Sequence, residues 1–435
     1  MKVSRRTFLK GGLASGASLM LPAVSGMSSA YGSTDDFKAL VCIFLHGGND
    51  AYNMVIPTSS KEYNIYQSMR PNIAIPQSQL VDTGLKADNH VPLGLHSSMT
   101  KLQPVFKAGD ATVIVNSGQL IEPVVGRSNP QIPPFVLAHN YQSIAWQSGT
   151  LSHDDELGWA GRMADDMYLN GSLSPLISMD GQCKWLRSKS REQLIIRPGQ
   201  PSGYEGLNTP ARLEAMNRHF STGYSNLMPR NYSSAMEKSY LDHMTLRGYI
   251  DELGDTNDYP DTGFSKTLQT TAQYIRIRGK LGHQRQIYFV GLGGFDTHKD
   301  QKKSHQNLLQ QLADGMAAFH NDIKSIGLND NVTTFTMSDF GRRIPSNATG
   351  TDHGWGGHQL IMGGAVNGKK AYGVWPDMRE GSPYDYKHSR MIPEISADQV
   401  SATLAAWFGY SKNVEELFPS LNNGFDKKTL EFMKA

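Results

Sequence analysis

Short apolar runs alternate with helical patterns along most of the chain. Five runs have the length and continuity of buried strands: 39–45 (ALVCIFL), 111–116 (ATVIVN), 286–291 (QIYFVG), 333–337 (TTFTM) and 359–364 (QLIMGG). Apolar residues recur at helical spacing in four further segments, namely 96–109, 264–282, 306–327 and 397–409. This alternation predicts an α/β fold, a three-layer sandwich in which a mostly parallel central sheet lies between two helical layers.

A polar, turn-rich segment interrupts this pattern at residues 186–262. It contains few large apolar residues and few strand signals, which favours a mainly helical insertion between two halves of the sheet over a separate domain. We therefore expect a single domain over residues 33–435 that carries this insertion.

The first 32 residues differ in composition from the rest. Arg5 and Arg6 lie in the stretch SRRTFLK and precede a mildly apolar run rich in Gly, Ala and Ser, which ends near Ala30 and Gly32. This pattern is typical of a twin-arginine signal peptide, and a frayed basic terminus is the alternative interpretation. Residues 1–32 are therefore predicted to direct the chain through the twin-arginine translocation machinery to the periplasm or cell envelope.

The overall composition bears on nucleic-acid binding, membrane spans and disulfides. Lys and Arg total 42 against 40 Asp and Glu, a balance that gives no basis for binding nucleic acid. No second apolar stretch is long enough to span a bilayer, so we expect no transmembrane segment in the mature chain. The two cysteines do not make a disulfide framework, and Cys42 is expected to be a core residue of the first strand.

Ionisable residues directly follow three of the predicted strands. These residues are Asp50, Asp296, His298 and Asp339. Because the carboxyl ends of parallel strands meet at one edge of a sheet, we expect these side chains to converge. Taken singly, each has a simpler interpretation as a turn residue, a helix cap or half of an ion pair. Two histidines, His353 and His358, lie in a glycine-rich stretch that leads into the strand 359–364.

The residue types at this edge suit divalent metal ions. Carboxylates that lie together repel each other unless cations intervene, and neutral imidazoles supply nitrogen ligands. We expect one or two divalent ions, of Zn, Mn, Mg or Ca. Two such ions close together form an arrangement that hydrolyses phosphate and related esters. The predicted ligands are Asp50, Asp296, His298, Asp339, His353 and His358.

Four stretches resemble a known family. LHGGNDAYNMVIP, GFDTH, SDFGRR and TDHGWGGHQLIMGGAVNGKKAYGVWP are similar to the exported domain-of-unknown-function 1501 family, and the resemblance runs from about residue 36 to about residue 424. That family belongs to the alkaline-phosphatase-like clan, with sulfatases and cofactor-independent phosphoglycerate mutases. The resemblance implies an alkaline-phosphatase-like fold with a mixed sheet of about eight to ten strands. It also implies that Asp50 and Asp339 hold one metal, that Asp296 and His298 hold the other, and that His353 or His358 completes the set.

The family pattern is broken at the expected nucleophile. Where the family often has Arg-Ser-His followed by Trp, this chain has Leu137 and Ala138 before His139, although Trp146 keeps its spacing. The nucleophile is therefore a metal-bound water, or Ser143 or another hydroxyl, or the chain does not catalyse. His139 is expected to line the site, and a helix-capping role is its alternative.

These observations support two functions of different classes. The first is an exported, metal-dependent hydrolase of phosphate, sulfate or related esters, in which Arg342 neutralises a small anionic substrate. The second is a non-catalytic periplasmic binding or assembly protein that retains the fold. The candidate metal ligands favour the enzyme, whereas the missing hydroxyl at Ala138 favours the alternative.

Overall fold

The structure, a computed structural model, describes residues 36–152, 154–169, 171, 173–197, 209–253 and 258–434. The predicted signal peptide lies outside the described residues. In chain order, the strands are β1 (Lys38–His46), β2 (Val55–Pro57), β3 (Val81–Lys86), β4 (Pro92–Leu95), β5 (Ala111–Gly118), β6 (Leu176–Ser178), β7 (Leu194–Ile195), β8 (Arg285–Gly293), β9 (Val332–Ser338), β10 (Gly357–Met362), β11 (Asp385–Tyr386), β12 (Arg390–Met391) and β13 (Ile395–Ser396).

The helices are given in the same way. They are α1 (Ala51–Met54), α2 (Ser60–Met69), α3 (Gln103–Ala108), α4 (His139–Ser148), α5 (Trp159–Asp166), α6 (Pro210–Ser221), α7 (Leu227–Asp251), α8 (Gly263–Arg276), α9 (Arg278–Leu281), α10 (Gln301–Ser325) and α11 (Ala397–Phe408). Short 3-10 turns lie at Gln77–Gln79, Thr100–Leu102, Val414–Glu416 and Pro419–Asn422. All five predicted strands and all four predicted helical segments are confirmed, with α3 shorter than expected.

The central sheet has the strand order β13-β5-β10-β9-β1-β8-β6-β7 in the described part of the chain. β1 lies in its middle and pairs in parallel with β8 and with β9. β10 pairs antiparallel with both β5 and β9, whereas the other strand pairs of this sheet are parallel. The predicted mostly parallel sheet is confirmed, and the reversed β10 begins at the edge of the sheet where β9 ends.

Both faces of the sheet are covered, which confirms the predicted three layers. Side chains alternate along a strand, so Val41 and Ile43 of β1 enter one hydrophobic core while Cys42 and Phe44 enter the other. Helices α8 and α10 pack on the first face, and α5 and α11 pack on the second. Burial raises the pKa of the Cys42 thiol well above its usual range, as expected for a core residue.

The predicted insertion contains helices α6 and α7, which pack against each other, and the short edge strand β7. Leu246 of α7 reaches the first core. Residues 198–208 and 254–257 lie outside the described residues, so the boundaries 186–262 and the domain limits stay a prediction. Across the described ranges, no helix has both the length and the apolar character needed to cross a bilayer.

Candidate metal centre

The carboxyl edge of the central sheet brings four loops together. Three follow the parallel strands β1, β8 and β9, and the fourth precedes β10, which begins at this edge because it runs in the opposite direction. Backbone hydrogen bonds join the last two loops: the Arg343 amide donates to the Asp352 carbonyl at 3.0 Å, and the Gly341 amide donates to the Trp355 carbonyl at 2.8 Å. The residues just before β10 therefore lie beside those that follow β9.

The two glycines after β1 permit this close approach. Gly47 and Gly48 have φ values of +112° and +77°, a backbone region that residues with a Cβ rarely adopt. A Cβ on Gly47 would lie less than 3.0 Å from the backbone nitrogen of Asp296, and one on Gly48 would lie equally close to the ring of Phe340. An apolar strand ends at two glycines here because the chain has to turn against the neighbouring loops.

Three imidazoles and one carboxylate meet above these loops. The Nε2 atoms of His139, His298 and His353 lie 3.6, 3.1 and 3.4 Å from Oδ1 of Asp296. The Nε2 atoms of His298 and His353 are 3.1 Å apart. Ligand atoms of His139, Asp296 and His353 all lie within 4.8 Å of one another. Ligand atoms of His139, Asp296 and His353 thus surround one point, with Nε2 of His298 beside Asp296 and His353. The Asp296 side chain is 48% exposed, so this point is open to solvent.

The other nitrogen of each imidazole faces a different partner. Nδ1 of His139 lies 2.6 Å from Oδ2 of Asp339, Nδ1 of His353 lies 2.8 Å from the Leu137 carbonyl, and Nδ1 of His298 lies 3.6 Å from Oδ1 of Asp352. An Nδ1–H group that donates to oxygen leaves Nε2 as the unprotonated nitrogen, which is the form that binds metals. Nε2 of His139 is buried and has no hydrogen-bond partner among the described residues.

The spacings of these donors from Asp296 match those around a tetrahedral metal ion. Ligands that each lie about 2.0–2.2 Å from an ion at the centre of a tetrahedron lie about 3.3–3.6 Å from one another, close to the spacings from Asp296 to the imidazoles. Burial lowers the pKa of His353, despite its bond to the Leu137 carbonyl, and so keeps the ring neutral. Three nitrogens and one carboxylate oxygen suit Zn²⁺ better than Mg²⁺ or Ca²⁺, which prefer oxygen ligands.

Arg342 positions the carboxylate of this cluster. Its guanidinium is completely buried and donates to the carbonyls of Gly47, Gly48, Phe295 and Thr351 as well as to Oδ1 of Asp296. Every nitrogen of Arg342 has a partner within the protein, so the guanidinium lies behind Asp296, and the expected contact of Arg342 with a substrate stays a prediction. Partial burial would raise the pKa of Asp296, but the hydrogen bond and charge of Arg342 outweigh it and lower that pKa.

Asp339 and Ser143 lie one layer behind the cluster. Oδ2 of Asp339 accepts from the Gly47 amide at 3.0 Å and faces His139, while Oδ1 accepts from the Ser143 hydroxyl at 2.8 Å. Trp146 is buried in the second core and fixes α4 at this edge, so His139 and Ser143 project from one helix face toward Asp339. Asp339 therefore orients a candidate ligand, and its own carboxylate lies behind the groups that approach Asp296.

Asp50 has other partners than the predicted metal. Its side chain is fully buried, with Oδ2 at 3.0 Å from Nη1 of Arg70 and a hydrogen bond from the amide of Gln301. Arg70 also donates to the carbonyls of Arg343 and Ile344, so the pair fastens the loop after β1 to the loop after β9. Asp50 is thus a buried counter-ion for Arg70, while its Oδ1 is buried without a hydrogen-bond partner among the described residues, and its ligand role stays a prediction.

His358 also lies away from the cluster. Its ring is buried between Tyr52 and Trp375, with centroid separations of 4.4 and 5.1 Å, and its Nδ1 accepts from the Asn116 amide at 3.0 Å. Burial lowers the pKa of His358 to about 3, which keeps the ring neutral. The structure thus gives His353 and His358 different surroundings; Nε2 of His358 is buried without a hydrogen-bond partner among the described residues, and its ligand role stays a prediction.

Comparison with known proteins places the chain in a family. A family model described as "Protein of unknown function (DUF1501)" matches residues 37–394. The chain belongs to the DUF1501 family. A second model, the "TAT (twin-arginine translocation) pathway signal sequence", matches residues 2–22. The DUF1501 chain therefore carries a twin-arginine signal and is exported, which confirms the predicted localisation; the limit at residue 32 stays a prediction.

No curated protein matches the DUF1501 chain. Several solved structures are similar to it at low identity. BT1596, a 2-O GAG sulfatase, has 9% identity over 91% of this chain and 76% of its own, with a TM-score of 0.36. The C-terminal periplasmic domain of EcEptC from Escherichia coli has 10% identity over 92% and 88%, with a TM-score of 0.37. The PsFucS1 sulfatase from Pseudoalteromonas sp. has 9% identity over 92% and 73%, with a TM-score of 0.38. With TM-scores below 0.5, these similarities do not bear on the chemistry of the DUF1501 site.

Sequence reasoning missed the buried supports of the site. Arg70 and Gln301 follow no strand and belong to no recognisable spacing, so nothing local marks them as partners of Asp50. The ligand geometry of His139 was also missed, although its preserved spacing to Trp146 in the DUF1501 chain identified it as a site residue. His139 lies beside Asp296 because α4 packs on the sheet, which the spacing in the sequence does not reveal.

Proposed function

We propose that this DUF1501 protein is an exported, metal-dependent hydrolase of phosphate, sulfate or related esters. His139, His298, His353 and Asp296 hold a divalent ion, for which Zn²⁺ is the best match. The observation that carries the proposal is the convergence of three Nε2 atoms on one oxygen of Asp296, with the Nδ1 atoms turned toward Asp339, Leu137 and Asp352.

The charge of the site favours an anionic substrate. The negative charge of Asp296 is offset by the buried guanidinium of Arg342, and the imidazole ligands are neutral when they bind a metal. Even with the carboxylate of Asp339 behind His139, a divalent ion held here leaves the cluster with a net positive charge, which attracts phosphate and sulfate groups. When bound, such an ion polarises an ester oxygen and lowers the pKa of a coordinated water.

The chain's own residues supply the other parts of a hydrolytic site. The half-exposed Asp296 and His298 leave an opening through which an ester reaches the ligands. Asp339 holds the His139 ring in the orientation that presents Nε2, and it can accept the proton of the Ser143 hydroxyl, to which it is already hydrogen-bonded. Ser143 is thus the hydroxyl best placed to replace the one missing at Ala138.

The test combines metal analysis with turnover. Protein purified from the periplasm should contain close to one equivalent of a divalent metal, lose activity on a panel of phosphate and sulfate esters with chelator, and regain it with Zn²⁺. Asp296→Asn should remove metal and turnover, whereas Asp82→Asn, at an exposed carboxylate paired with Lys107, should change neither. Protein that binds no divalent ion would end the proposal.

A second function has one specific observation in its favour. Ala138 occupies the N-cap of α4 and offers no hydroxyl to attack a substrate. If the metal-loaded protein is silent on the whole panel while Asp296→Asn still abolishes its role in the cell, a metal-dependent binding or assembly protein is the better description. Ser143→Ala separates the nucleophiles, because loss of turnover with metal retained implicates that hydroxyl.

A further inference from the structure

A second imidazole–carboxylate pair lies at the same edge of the sheet, outside the cluster. Nε2 of His46, the last residue of β1, is 2.8 Å from Oδ2 of Asp180, which follows β6. The two side chains are 42% and 43% exposed, so the pair is open to solvent. Although 134 positions separate them in sequence, the two residues meet across the intervening strand β8.

Glycine on the intervening strand makes room for this pair. A Cβ on Gly291 of β8 would lie less than 3.0 Å from Oδ2 of Asp180 and 3.0 Å from Nε2 of His46. At Gly291 the backbone of β8 therefore lies directly beneath the hydrogen bond, with no side chain between them. The ring of Phe44 supports the imidazole from the side, with a centroid separation of 4.6 Å. The imidazole of this solvent-open pair therefore has packing support on one side, which an ion pair between two free surface chains lacks.

The His46–Asp180 pair lies on the same face of the sheet as Asp339, the residue behind the metal site. Leu40, Cys42 and Phe44 of β1 face the second core, so alternation places His46 on that face. Phe335 and Met337 of β9 face the same core, which places Asp339 there as well. Leu45 is in register with Ser338, and adjacent strands are about 4.8 Å apart, so His46 and Asp339 leave neighbouring strands at the same level.

The backbone next to His46 is part of the metal site itself. The His46 carbonyl accepts from the Phe295 amide at 3.1 Å, one residue before Asp296. The following amide, of Gly47, donates to Asp339 at 3.0 Å. The imidazole of His46 is therefore attached to the same turn that positions the cluster. It lies toward β8 and β6, whereas Asp339 and His353 lie toward β9 and β10.

We propose that His46 is the general acid of the hydrolytic reaction and that Asp180 positions its ring. This inference rests on the proposed function. With Nε2–H held by Asp180, Nδ1 carries the second proton of the imidazolium and gives it to the ester oxygen of the leaving alcohol as the bond from that oxygen to phosphorus or sulfur breaks. Water supplies the oxygen that the phosphate or sulfate product gains, its proton is released to solvent, and His46 regains a proton from solvent.

The test uses leaving groups of different basicity on the zinc-loaded protein. General acid assistance matters most for poor leaving groups, so His46→Gln should lower kcat at least about 100-fold for an alkyl phosphate or sulfate. It should lower kcat less than about tenfold for the p-nitrophenyl ester, whose leaving group needs little protonation. Asp180→Asn should shift the same leaving-group dependence in the same direction. His388→Gln, in an exposed pair with Glu380, is the matched control and should leave all rates unchanged.

A binding measurement accompanies the kinetics. Inorganic phosphate and sulfate, as products, are titrated into zinc-loaded protein with ¹⁵N-labelled histidine, and the His46 resonance, assigned with His46→Gln, should shift on saturation. Two results would overturn the role of His46 and leave the proposed function standing. In the first, the protein binds zinc and the anions but the His46 resonance does not move. In the second, the protein binds zinc but His46→Gln lowers kcat equally for all leaving groups. Failure to bind zinc, or to bind or turn over any of these anions, would overturn the proposed function and this inference with it.

Discussion

Replacing Asp50 with Asn separates the structural assignment of this residue from the metal-ligand role that its position after β1 suggests. In the structure, the side chains of Asp50 and Arg70 are both fully buried and paired at 3.0 Å. Asn keeps the size of Asp but removes its charge, so the guanidinium would face only neutral acceptors, the side-chain oxygen of Asn53 and two backbone carbonyls. The variant should therefore be strongly destabilised yet retain its metal site.

The size of the effect follows from the burial. Removing one partner of a buried ion pair costs about 3–5 kcal/mol, because the other charge stays in a medium that solvates it poorly. A typical domain has about 5–15 kcal/mol of unfolding free energy, so the loss should be visible as a large shift of the urea midpoint. The double variant Asp50→Asn/Arg70→Met should recover part of it, since neither charge is then left unpaired.

The assay is urea unfolding of the metal-free protein in chelator at neutral pH, followed by zinc titration of the folded fraction at low urea. Asp296→Asn is the counterpart: it leaves the buried Arg342 with neutral acceptors and so should also cost stability, but unlike Asp50→Asn it should remove most of the affinity for zinc. The reasoning would be refuted if Asp50→Asn unfolded within about 1 kcal/mol of the parent protein but no longer bound zinc.

Three further predictions concern the surroundings of the site and the fold. Gly47→Ala places a methyl group against the backbone of Asp296 in a disfavoured φ region, so zinc affinity by calorimetry should fall at least about tenfold; unchanged affinity would contradict the close approach. His358→Phe leaves a buried amide unsatisfied and should cost about 1–3 kcal/mol of unfolding free energy without affecting bound zinc; loss of zinc would support its ligand role. Burial raises the pKa of Asp398 from 3.8 to about 7, despite the hydrogen bond from Ser420. The folded state thus holds this proton more tightly than the unfolded state, so stability should fall as pH rises from about 4 to about 7. The urea midpoint of Asp398→Asn should fall less over this pH range than that of the parent protein, and an equal fall in the two proteins would refute the assignment.

The sequence anticipated those features that depend on local patterns. The run 39–45 is continuous and apolar because β1 is covered on both faces, and Asp296 and His298 could be identified because they directly follow β8. The meeting of distant residues could not be anticipated. The partnership of Asp50 with Arg70 depends on how the chain after α2 returns beneath the site, which no periodicity encodes.

The direction of β10 illustrates the same limit. An apolar run has the same appearance whether its strand is parallel or antiparallel, and only the antiparallel pairing with β9 brings His353 to the carboxyl edge. His46 and Asp180 were not identified, because a histidine at the end of an apolar run and an aspartate in a turn are ordinary residues in sequence. Their proximity results from the strand order β1-β8-β6.

The location of a bound ion tests the central claim most directly. Crystals of the mature protein grown with one equivalent of Zn²⁺ should be measured on both sides of the zinc absorption edge. We expect a single anomalous peak about 2.0–2.2 Å from Nε2 of His139, His298 and His353 and from an oxygen of Asp296, with Asp50 still paired to Arg70. A peak bound by Asp50 or His358, or no peak at these four groups, would contradict the proposed metal centre.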